Sequence, residues 1–183
     1  AGCTYVNSGF GWDAVADDNC GVTNLNYIFT GATVGAGTTL DGVIFNLGTT
    51  IVLWVATDAA GNNTNCSIVV EVEDNEDPTA TCGVTTNQDV ATNLACTYVH
   101  SGTAWDATGL DNCFVNSISY ELSGVTTGVG TSLDTEVFEL GTTTVTWTVA
   151  DANGNSNVCS YDVTVTDQED PVITLCEASQ YVE

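Results

Sequence analysis

The chain repeats its own sequence at a constant spacing of 93 residues, and this repeat limits its fold more than any other feature. CTYVNSGFGWDA, which begins at Cys3, returns as CTYVHSGTAWDA from Cys96. LGTTIVLWVATDAAGNNTNCS, which begins at Leu47, returns as LGTTTVTWTVADANGNSNVCS from Leu140. A period this long exceeds that of a solenoid repeat. Each repeat is therefore expected to form a small domain in an array rather than one layer of a stack.

Each repeat has the pattern of an all-β domain. Thr, Val and Gly are abundant, and turn signals recur at about the 8–12 residue spacing of a β-sandwich. Val145, Trp147 and Val149 alternate with threonines, which is the period of a strand with one buried face. AAGNN and ANGNS predict a tight turn between the last two strands of each repeat. We therefore predict an all-β chain.

The charge and cysteine content exclude several classes of function. The chain has 24 Asp and Glu but no Lys or Arg, so its formal net charge is −24. It cannot neutralise phosphates or dock on an anionic membrane through basic side chains, which argues against nucleic-acid binding. No apolar run approaches the roughly 20 residues of a membrane helix, so we expect no membrane insertion. Eight cysteines without a CxxC pair predict disulfides and an oxidising, extracellular location.

The combined motifs resemble a known family. In order they are DNC, a Gly-rich stretch, F-x-L-G-T-T-x-V-x-W, D-A-x-G-N, C-S and D-x-E-D-P. This order resembles the hyalin repeat (HYR) family, and the resemblance covers essentially the whole chain, twice. It implies tandem immunoglobulin-like β-sandwich domains without enzymatic activity. It also implies a place in extracellular adhesion proteins, among them giant bacterial surface adhesins of gliding motility.

The repeat and the resemblance together predict three segments. Residues 1–75 form a first repeat whose opening strand is missing or supplied by a neighbour. Residues 76–168 form a complete second repeat. Residues 169–183 form a linker and the opening strand of a further repeat.

The cysteines at the strand ends are expected to bridge distant segments. In a sandwich of the kind that the resemblance implies, the first and last strands begin at the same end, which predicts a Cys82–Cys159 disulfide. Cys66 and Cys176 would then pair with neighbouring repeats. Four sequential loops, with Cys66–Cys82 and Cys159–Cys176 bridges, remain an alternative. The remaining cysteines flank a short hairpin-like segment in each repeat and are predicted to form the local bridges Cys3–Cys20 and Cys96–Cys113.

Acidic residues crowd the two segments that end at Pro78 and Pro171. Carboxylates in flexible loops suit Ca²⁺, which takes 6–8 oxygen ligands. The turn before the last strand should lie at the same end of its domain as the first acidic segment. The predicted calcium ligands are Asp74, Glu76, Asp77, Asp111, Asp151, Asn155, Asp167, Glu169 and Asp170. The alternative is a solvated acidic linker that keeps the array extended, with Asp151 bonding its own backbone as a turn residue.

The recurring aromatic residues and the single histidine are expected to have structural roles rather than to bind a ligand. Aromatic residues that recur in both repeats are expected in the two cores rather than in a sugar-binding surface. They are Trp12 and Trp105, Tyr5 and Tyr98, Tyr27 and Tyr120, Phe45 and Phe138, and Trp54 and Trp147. His100 stands where the first repeat has Asn7, so we expect a surface polar residue. The paired carboxylates lie in linkers rather than in a cleft, so we predict no catalytic residues and no enzyme.

These features predict a structural repeat of an extracellular cell-surface filament or adhesin stalk, held by disulfides and stiffened by calcium at the junctions. The alternative is an adhesive module that binds a surface glycan or protein ligand. The expected partners are neighbouring copies of the same repeat. A single giant polypeptide is favoured by the near-perfect repeat. In the other assembly, residues 172–183 of one subunit fill the opening-strand position of the next, and Cys176 bonds Cys66.

Overall fold

A computed structural model describes residues 2–93 and 95–175 of the chain. Every regular element among these residues is a β-strand, as the periodicity predicted. The strands are β1 (Thr4–Val6), β2 (Val22–Gly31), β3 (Gly35–Gly37), β4 (Ile44–Asn46), β5 (Gly48–Asp58), β6 (Asn63–Val72), β7 (Thr79–Thr81), β8 (Gln88–Ala91), β9 (Thr97–Val99), β10 (Thr108–Leu110), β11 (Val115–Gly124), β12 (Gly128–Gly130), β13 (Val137–Glu139), β14 (Gly141–Asp151) and β15 (Ser156–Thr166). Across the described ranges no helix is long and apolar enough to span a membrane.

The chain divides into two compact units that do not coincide with the two sequence repeats. Unit 1 takes the described residues up to Pro78, together with the loops Leu110–Asn116 and Asp151–Asn155. Unit 2 takes the remaining described residues. Two loops of the second sequence repeat thus belong to unit 1.

Unit 1 is an immunoglobulin-like β-sandwich. Its larger sheet has the strand order β3-β2-β5-β6, with antiparallel neighbours, and β1 pairs with β4 in a second, two-stranded sheet. Alternate residues of β5 point inward, so Val52 and Trp54 are buried while Ile51 and Leu53 remain exposed. The buried side chains form one core cluster of Tyr27, Phe29, Leu40, Phe45, Val52, Trp54 and Val70.

Unit 2 repeats this sandwich and adds a strand at its edge. Its main sheet has the order β12-β11-β14-β15-β8, and two further pairs are β13-β9 and β10-β7. β8 runs parallel to β15, with Val90 opposite Val165. The buried cluster is Trp105, Ala107, Tyr120, Leu122, Leu133, Phe138, Val145, Trp147, Tyr161, Val163 and Val165. Val84 and Val90 of the opening segment pack against this cluster.

A glycine at the end of β2 and another at the end of β11 allow the same tight contact in each unit. Gly31 has φ +108°, and a Cβ there would lie 2.3 Å from the carbonyl oxygen of Thr49. Gly124 has φ +111°, and its Cβ would lie 2.6 Å from the carbonyl oxygen of Thr142. A side chain would be strained by the backbone angle and would collide with the adjacent strand. Glycine is therefore required at both positions.

The opening segment of unit 2 is held by pairing, close packing and a disulfide. β7 pairs with β10, and the Cys82–Cys159 disulfide joins the segment to β15, with the two Cα atoms 5.7 Å apart. A Cβ on Gly83 would lie 2.5 Å from the carbonyl oxygen of Asp106. The backbone at Gly83 therefore lies directly on the segment that carries Trp105.

The local disulfide predictions require correction. The structure contains neither Cys3–Cys20 nor Cys96–Cys113; Cys3 is bonded to Cys113 instead, with the Cα atoms 5.0 Å apart. The physical reason is that Cys113 lies in the segment Leu110–Asn116, which belongs to unit 1 and there meets Cys3.

The other thiols of the described residues, Cys20, Cys66 and Cys96, are free and exposed. Cys176, which was expected to pair with a neighbouring repeat, lies outside the described residues, and so does most of the predicted opening strand that contains it.

Two further expectations about side chains differ from the structure. His100 is buried, with only 4% of its surface exposed, because its ring stacks on Trp105 at a centroid distance of 3.9 Å. Trp12 and Tyr5 are not core residues, because they stack on each other near the surface with 39% and 43% of their areas exposed. The predicted aromatic core is thus correct for β2, β4 and β5 and their counterparts, but not for this pair.

Candidate metal centre

Three loops of unit 1 meet around Asp74. The first is the acidic segment between β6 and β7, the second is Leu110–Asn116, and the third is the Asp151–Asn155 turn between β14 and β15. We call the side chains that converge here the Asp74 cluster, and they are Asp74, Asp111, Asp151, Asn153 and Asn155.

Asp74 and Asp111 approach each other closely. One carboxylate oxygen from each, together with the Sγ of Cys113, lie within 4.8 Å of one another. Asp111 Oδ1 accepts the N–H of Cys113 and of Phe114, each at 2.8 Å. Asp111 Oδ2 is buried and has no hydrogen-bond partner. A buried oxygen of an acidic group without a donor is costly unless a cation or a water binds it.

Asp74 is almost fully buried, with 7% of its surface exposed, and its hydrogen bonds are long. Its Oδ2 accepts from Asn153 Nδ2 at 3.3 Å, and its Oδ1 accepts the N–H of Glu76 at 3.3 Å. Asn155 Nδ2 donates to its backbone carbonyl at 3.0 Å. These contacts fix the position of Asp74 while leaving its carboxylate weakly bonded.

Asp151 has a different role from Asp74 and Asp111. Its Oδ1 accepts the backbone N–H of Asn153, Gly154 and Asn155, and its Oδ2 accepts from Asn155 Nδ2 at 2.7 Å. Partial desolvation raises the pKa of Asp151, but these hydrogen bonds outweigh it and hold the pKa below its ordinary value. The carboxylate is engaged with its own loop, which is the turn role expected of an Asp in such a position.

The electrostatics of the cluster favour a bound cation. The chain contains no Lys or Arg, so no such side chain can balance Asp74 and Asp111. Two carboxylates less than 5 Å apart repel by about 3 kcal/mol at an effective dielectric constant of about 20. The donors are hard oxygens, because the sulfur of Cys113 is already bonded to Cys3 and cannot act as a thiolate ligand. The residues present therefore fit a hard divalent cation such as Ca²⁺, with water completing its coordination.

The remaining predicted ligands lie apart from this cluster. The side chains of Glu76 and Asp77 are exposed on the same loop as Asp74. Asp167, Glu169 and Asp170 are exposed in unit 2, where they line an open cavity of about 600 Å³ together with Cys96. The structure thus brings Asp74, Asp111, Asp151 and Asn155 together and leaves the second acidic segment outside this group.

Sequence reasoning missed Asn153 and the Cys3–Cys113 bond. Asn153 stands where the first repeat has Ala60, and this difference was the available signal that the second turn reaches a partner. The bond between Cys3 and Cys113 spans 110 residues, and no local pattern indicates it.

Comparison with known proteins places the chain in a family. The model of the HYR domain family matches residues 73–165. The chain is also similar to hyalin of Strongylocentrotus purpuratus, with 26% identity over 167 residues that cover 89% of this chain. It spans only 12% of the length of that relative. Because the family match extends over half of its residues and the structure is an immunoglobulin-like β-sandwich, the chain belongs to the HYR domain family.

Proposed function

We propose that the chain is a structural module of an extracellular cell-surface filament or adhesin stalk, and that it performs no catalytic step. The observation that carries this proposal is the pair of long-range disulfides. Cys3–Cys113 and Cys82–Cys159 close sequence separations of 110 and 77 residues. Disulfides persist in oxidising, extracellular surroundings. Long covalent loops disfavour the unfolded chain, as suits a module that is exposed outside the cell.

The composition supports the same role. A chain without Lys or Arg offers no cleavage site to trypsin-like proteases. Its charge of −24 keeps it soluble and disfavours collapse of neighbouring modules onto each other. The 93-residue sequence repeat fits a tandem array of HYR domains, as in giant surface adhesins.

The proposal includes a calcium ion at the Asp74 cluster. Asp74 and Asp111 would provide carboxylate ligands, while Asp151 and Asn155 would hold the loops around the ion. Support comes from the unpartnered Oδ2 of Asp111 and from the close carboxylates. The acidic segment between β6 and β7 would then be fixed against the other two loops of unit 1. In a surface fibre such an ion would stiffen the connection between successive repeats.

Thermal unfolding with Ca²⁺, with Mg²⁺ and with a chelator tests the ion. Saturation with Ca²⁺ at about 100 times its Kd should stabilise the protein by about 2.7 kcal/mol, which raises the midpoint by several degrees. Asp111→Asn should abolish most of this increase. Asp18→Asn, the equivalent position of the first repeat, is the matched control and should retain it. Equal midpoints with Ca²⁺ and with chelator would contradict the calcium site.

Immunogold labelling of intact source cells tests the location. Antibodies against this chain should label extended material outside the cell. Labelling confined to the cell interior would contradict the structural role.

A second candidate function is recognition of a carbohydrate, and one observation favours it. The stacked rings of Tyr5 and Trp12 are partly exposed, and Phe10, two residues before Trp12 in the sequence, is 68% exposed. Exposed aromatic faces can bind sugar rings. A glycan array should then show saturable binding that Trp12→Ala abolishes, whereas the structural role expects no binding.

A further inference from the structure

Unit 1 holds a loop and a turn of the second sequence repeat against two residues of the first. The loop is Leu110–Asn116 and the turn is Asp151–Asn155. Cys113 of the loop is bonded to Cys3, and the turn donates two side-chain hydrogen bonds to Asp74, which is only 7% exposed. Unit 1 thus contains one complete contact between repeats, in which a cysteine and an aspartate receive a loop and a turn.

The second repeat presents the same two receiving residues without a covering loop. The counterparts of Cys3 and Asp74 are Cys96 and Asp167, each 93 positions later. Cys96 is a free, exposed thiol, and Asp167 is exposed although Asp74 is buried. Both line an open cavity of about 600 Å³ in unit 2, and we call these two residues with their cavity the Cys96 socket.

The first repeat has the loop and the turn that match such a socket. Residues 18–20 correspond to residues 111–113 of the bonded loop, and residues 58–62 correspond to the turn Asp151–Asn155. Side chains of both segments line one cleft of unit 1, so the loop and the turn lie side by side. We call them the loop–turn face. Its cysteine, Cys20, is free and exposed.

The free loop already has the local hydrogen bonding of the bonded one. Asp18 Oδ2 accepts the N–H of Cys20 at 2.9 Å, as Asp111 Oδ1 accepts the N–H of Cys113 at 2.8 Å. The side-chain hydrogen bond that closes the turn is 2.7 Å long in both repeats. Docking of the loop–turn face therefore needs little rearrangement, and preorganisation of this kind favours binding.

We infer that the Cys96 socket binds the loop–turn face of another HYR repeat with a free loop cysteine, as the first repeat of a second copy of this chain provides. A disulfide between Cys96 and Cys20 of that copy closes the contact. Asp167 then lies beside Asp18 of the copy, as Asp74 lies beside Asp111 in unit 1. The inference rests on the proposed structural function, whose repeats this contact joins.

Bond formation needs an oxidant. The thiols of Cys96 and Cys20 together lose two protons and two electrons to oxidised glutathione, which is reduced to two glutathione thiols. Docking precedes this exchange and places the two sulfurs together. A bond between Cys96 and Cys20 should therefore form in preference to a bond between Cys96 and another exposed thiol.

Three variants that each retain one thiol test this preference, and all of them include Cys176→Ala. The socket variant adds Cys20→Ala and Cys66→Ala, and so retains Cys96. The loop variant adds Cys66→Ala and Cys96→Ala, and so retains Cys20. The control variant adds Cys20→Ala and Cys96→Ala, and so retains Cys66, which is also free and exposed. The socket variant is mixed with each of the others and oxidised in a glutathione buffer at about 0.15 M salt, which screens distant charges.

A denaturing gel without reductant measures the yield of cross-linked pairs. A docked thiol has an effective concentration of about 1 mM, so at about 0.1 mM protein the loop variant should give about ten times the yield of the control variant. Unfolding both chains in concentrated guanidinium chloride should remove the preference. Equal yields from the two folded mixtures, or an equal yield from either variant alone, would overturn the inference.

Two neighbouring asparagines test whether the turn takes part in docking. Asn155 Nδ2 donates to the backbone carbonyl of Asp74 at 3.0 Å, and Asn62 is its counterpart in the loop–turn face. Asn62→Ala in the loop variant should lower the yield about fivefold, which is the effect of one lost hydrogen bond. Asn63→Ala is the matched control and should retain the yield. An unchanged yield with Asn62→Ala would overturn the contact between the turn and the socket.

The inference and the proposed function can fail separately. The gel reports docking between repeats, whereas cell labelling reports the location of the protein. Selective cross-linking of a protein confined to the cell interior would support the socket and contradict the stalk. Extracellular labelling with equal yields in the two mixtures would do the reverse.

Discussion

Unit 1 and unit 2 share the central part of their interiors but differ at their edges. Trp54 and Trp147 are both buried at corresponding positions, and the other core residues of unit 1 have buried counterparts in unit 2. At the edge, Cys66 is exposed and free whereas Cys159 is disulfide-bonded. The comparison shows that the repeated sequence determines the interior, while the opening strand determines the environment of the edge.

The turns between the last two strands of each repeat show which interactions depend only on the local sequence. Asp58 and Asp151 each accept hydrogen bonds from the backbone of their own turn and from the Asn four residues later. The side-chain hydrogen bond from Asn62 is the main reason that the pKa of Asp58 lies below its ordinary value. Asp151 is nonetheless buried while Asp58 is not, because the second turn contacts Asp74 through Asn153 and Asn155.

The largest expected effect is the loss of stability when the disulfide at the edge of unit 2 is removed. The double variant Cys82→Ala, Cys159→Ala should lower the free energy of unfolding by about 4 kcal/mol, because the disulfide closes a long loop. Cys66→Ala is the matched control and should leave stability unchanged within about 0.5 kcal/mol, because its thiol is free and exposed. Denaturant unfolding of the dilute, oxidised protein measures both. Equal losses would show that the two edges do not differ as described.

A somewhat smaller effect concerns the tryptophan beside the opening strand. Trp105 is 8% exposed, and its carbonyl accepts from the Tyr161 hydroxyl at 2.9 Å, whereas Trp12 is 39% exposed. Trp105→Ala should therefore cost about 3 kcal/mol, and Trp12→Ala about 1 kcal/mol. Chemical denaturation of both variants gives the difference. A cost for Trp12→Ala as large as for Trp105→Ala would mean that the first repeat buries this ring without an opening strand.

Local sequence patterns predicted the parts of the fold that depend on neighbouring residues. The alternation of Val145, Trp147 and Val149 corresponds to the inward face of β14, and AAGNN lies in the turn between β5 and β6. Period-two burial and tight turns that contain Gly and Asn are properties of a few adjacent residues, so a sequence reveals them.

The parts that the sequence did not reveal depend on distant segments. Cys3 and Cys20 lie close along the chain, yet Cys3 is bonded to Cys113, 110 residues away, because the segment Leu110–Asn116 packs within unit 1. The approach of Asp111 to Asp74 has the same origin. The replacement of Asn7 by His100 suggested a surface position, but both residues are buried, each with 4% of its surface exposed. The difference between two polar residues at equivalent positions therefore gave no information about whether the position is buried.

The smallest expected effect follows from this exchange and depends on pH. Burial lowers the pKa of His100 below 6.5, and this outweighs the opposing attraction of Asp106 and Asp134. Neutral His100 therefore stabilises the fold above about pH 6.5, and this contribution is lost as the pH falls through the lowered folded pKa, because the unfolded chain binds the proton more readily. Asn7 does not titrate, and its Nδ2 donates to the carbonyl of Leu40 at 2.9 Å.

Exchanging the two residues tests whether the repeats differ only by this titration. His100→Asn should reduce the loss of thermal stability between about pH 7.5 and about pH 5.5, because no imidazole then has to be protonated. Asn7→His should add such a loss to the first repeat. Midpoints of thermal unfolding at both pH values measure these changes. If His100→Asn leaves the acid sensitivity unchanged, the carboxylates and not the buried imidazole determine it.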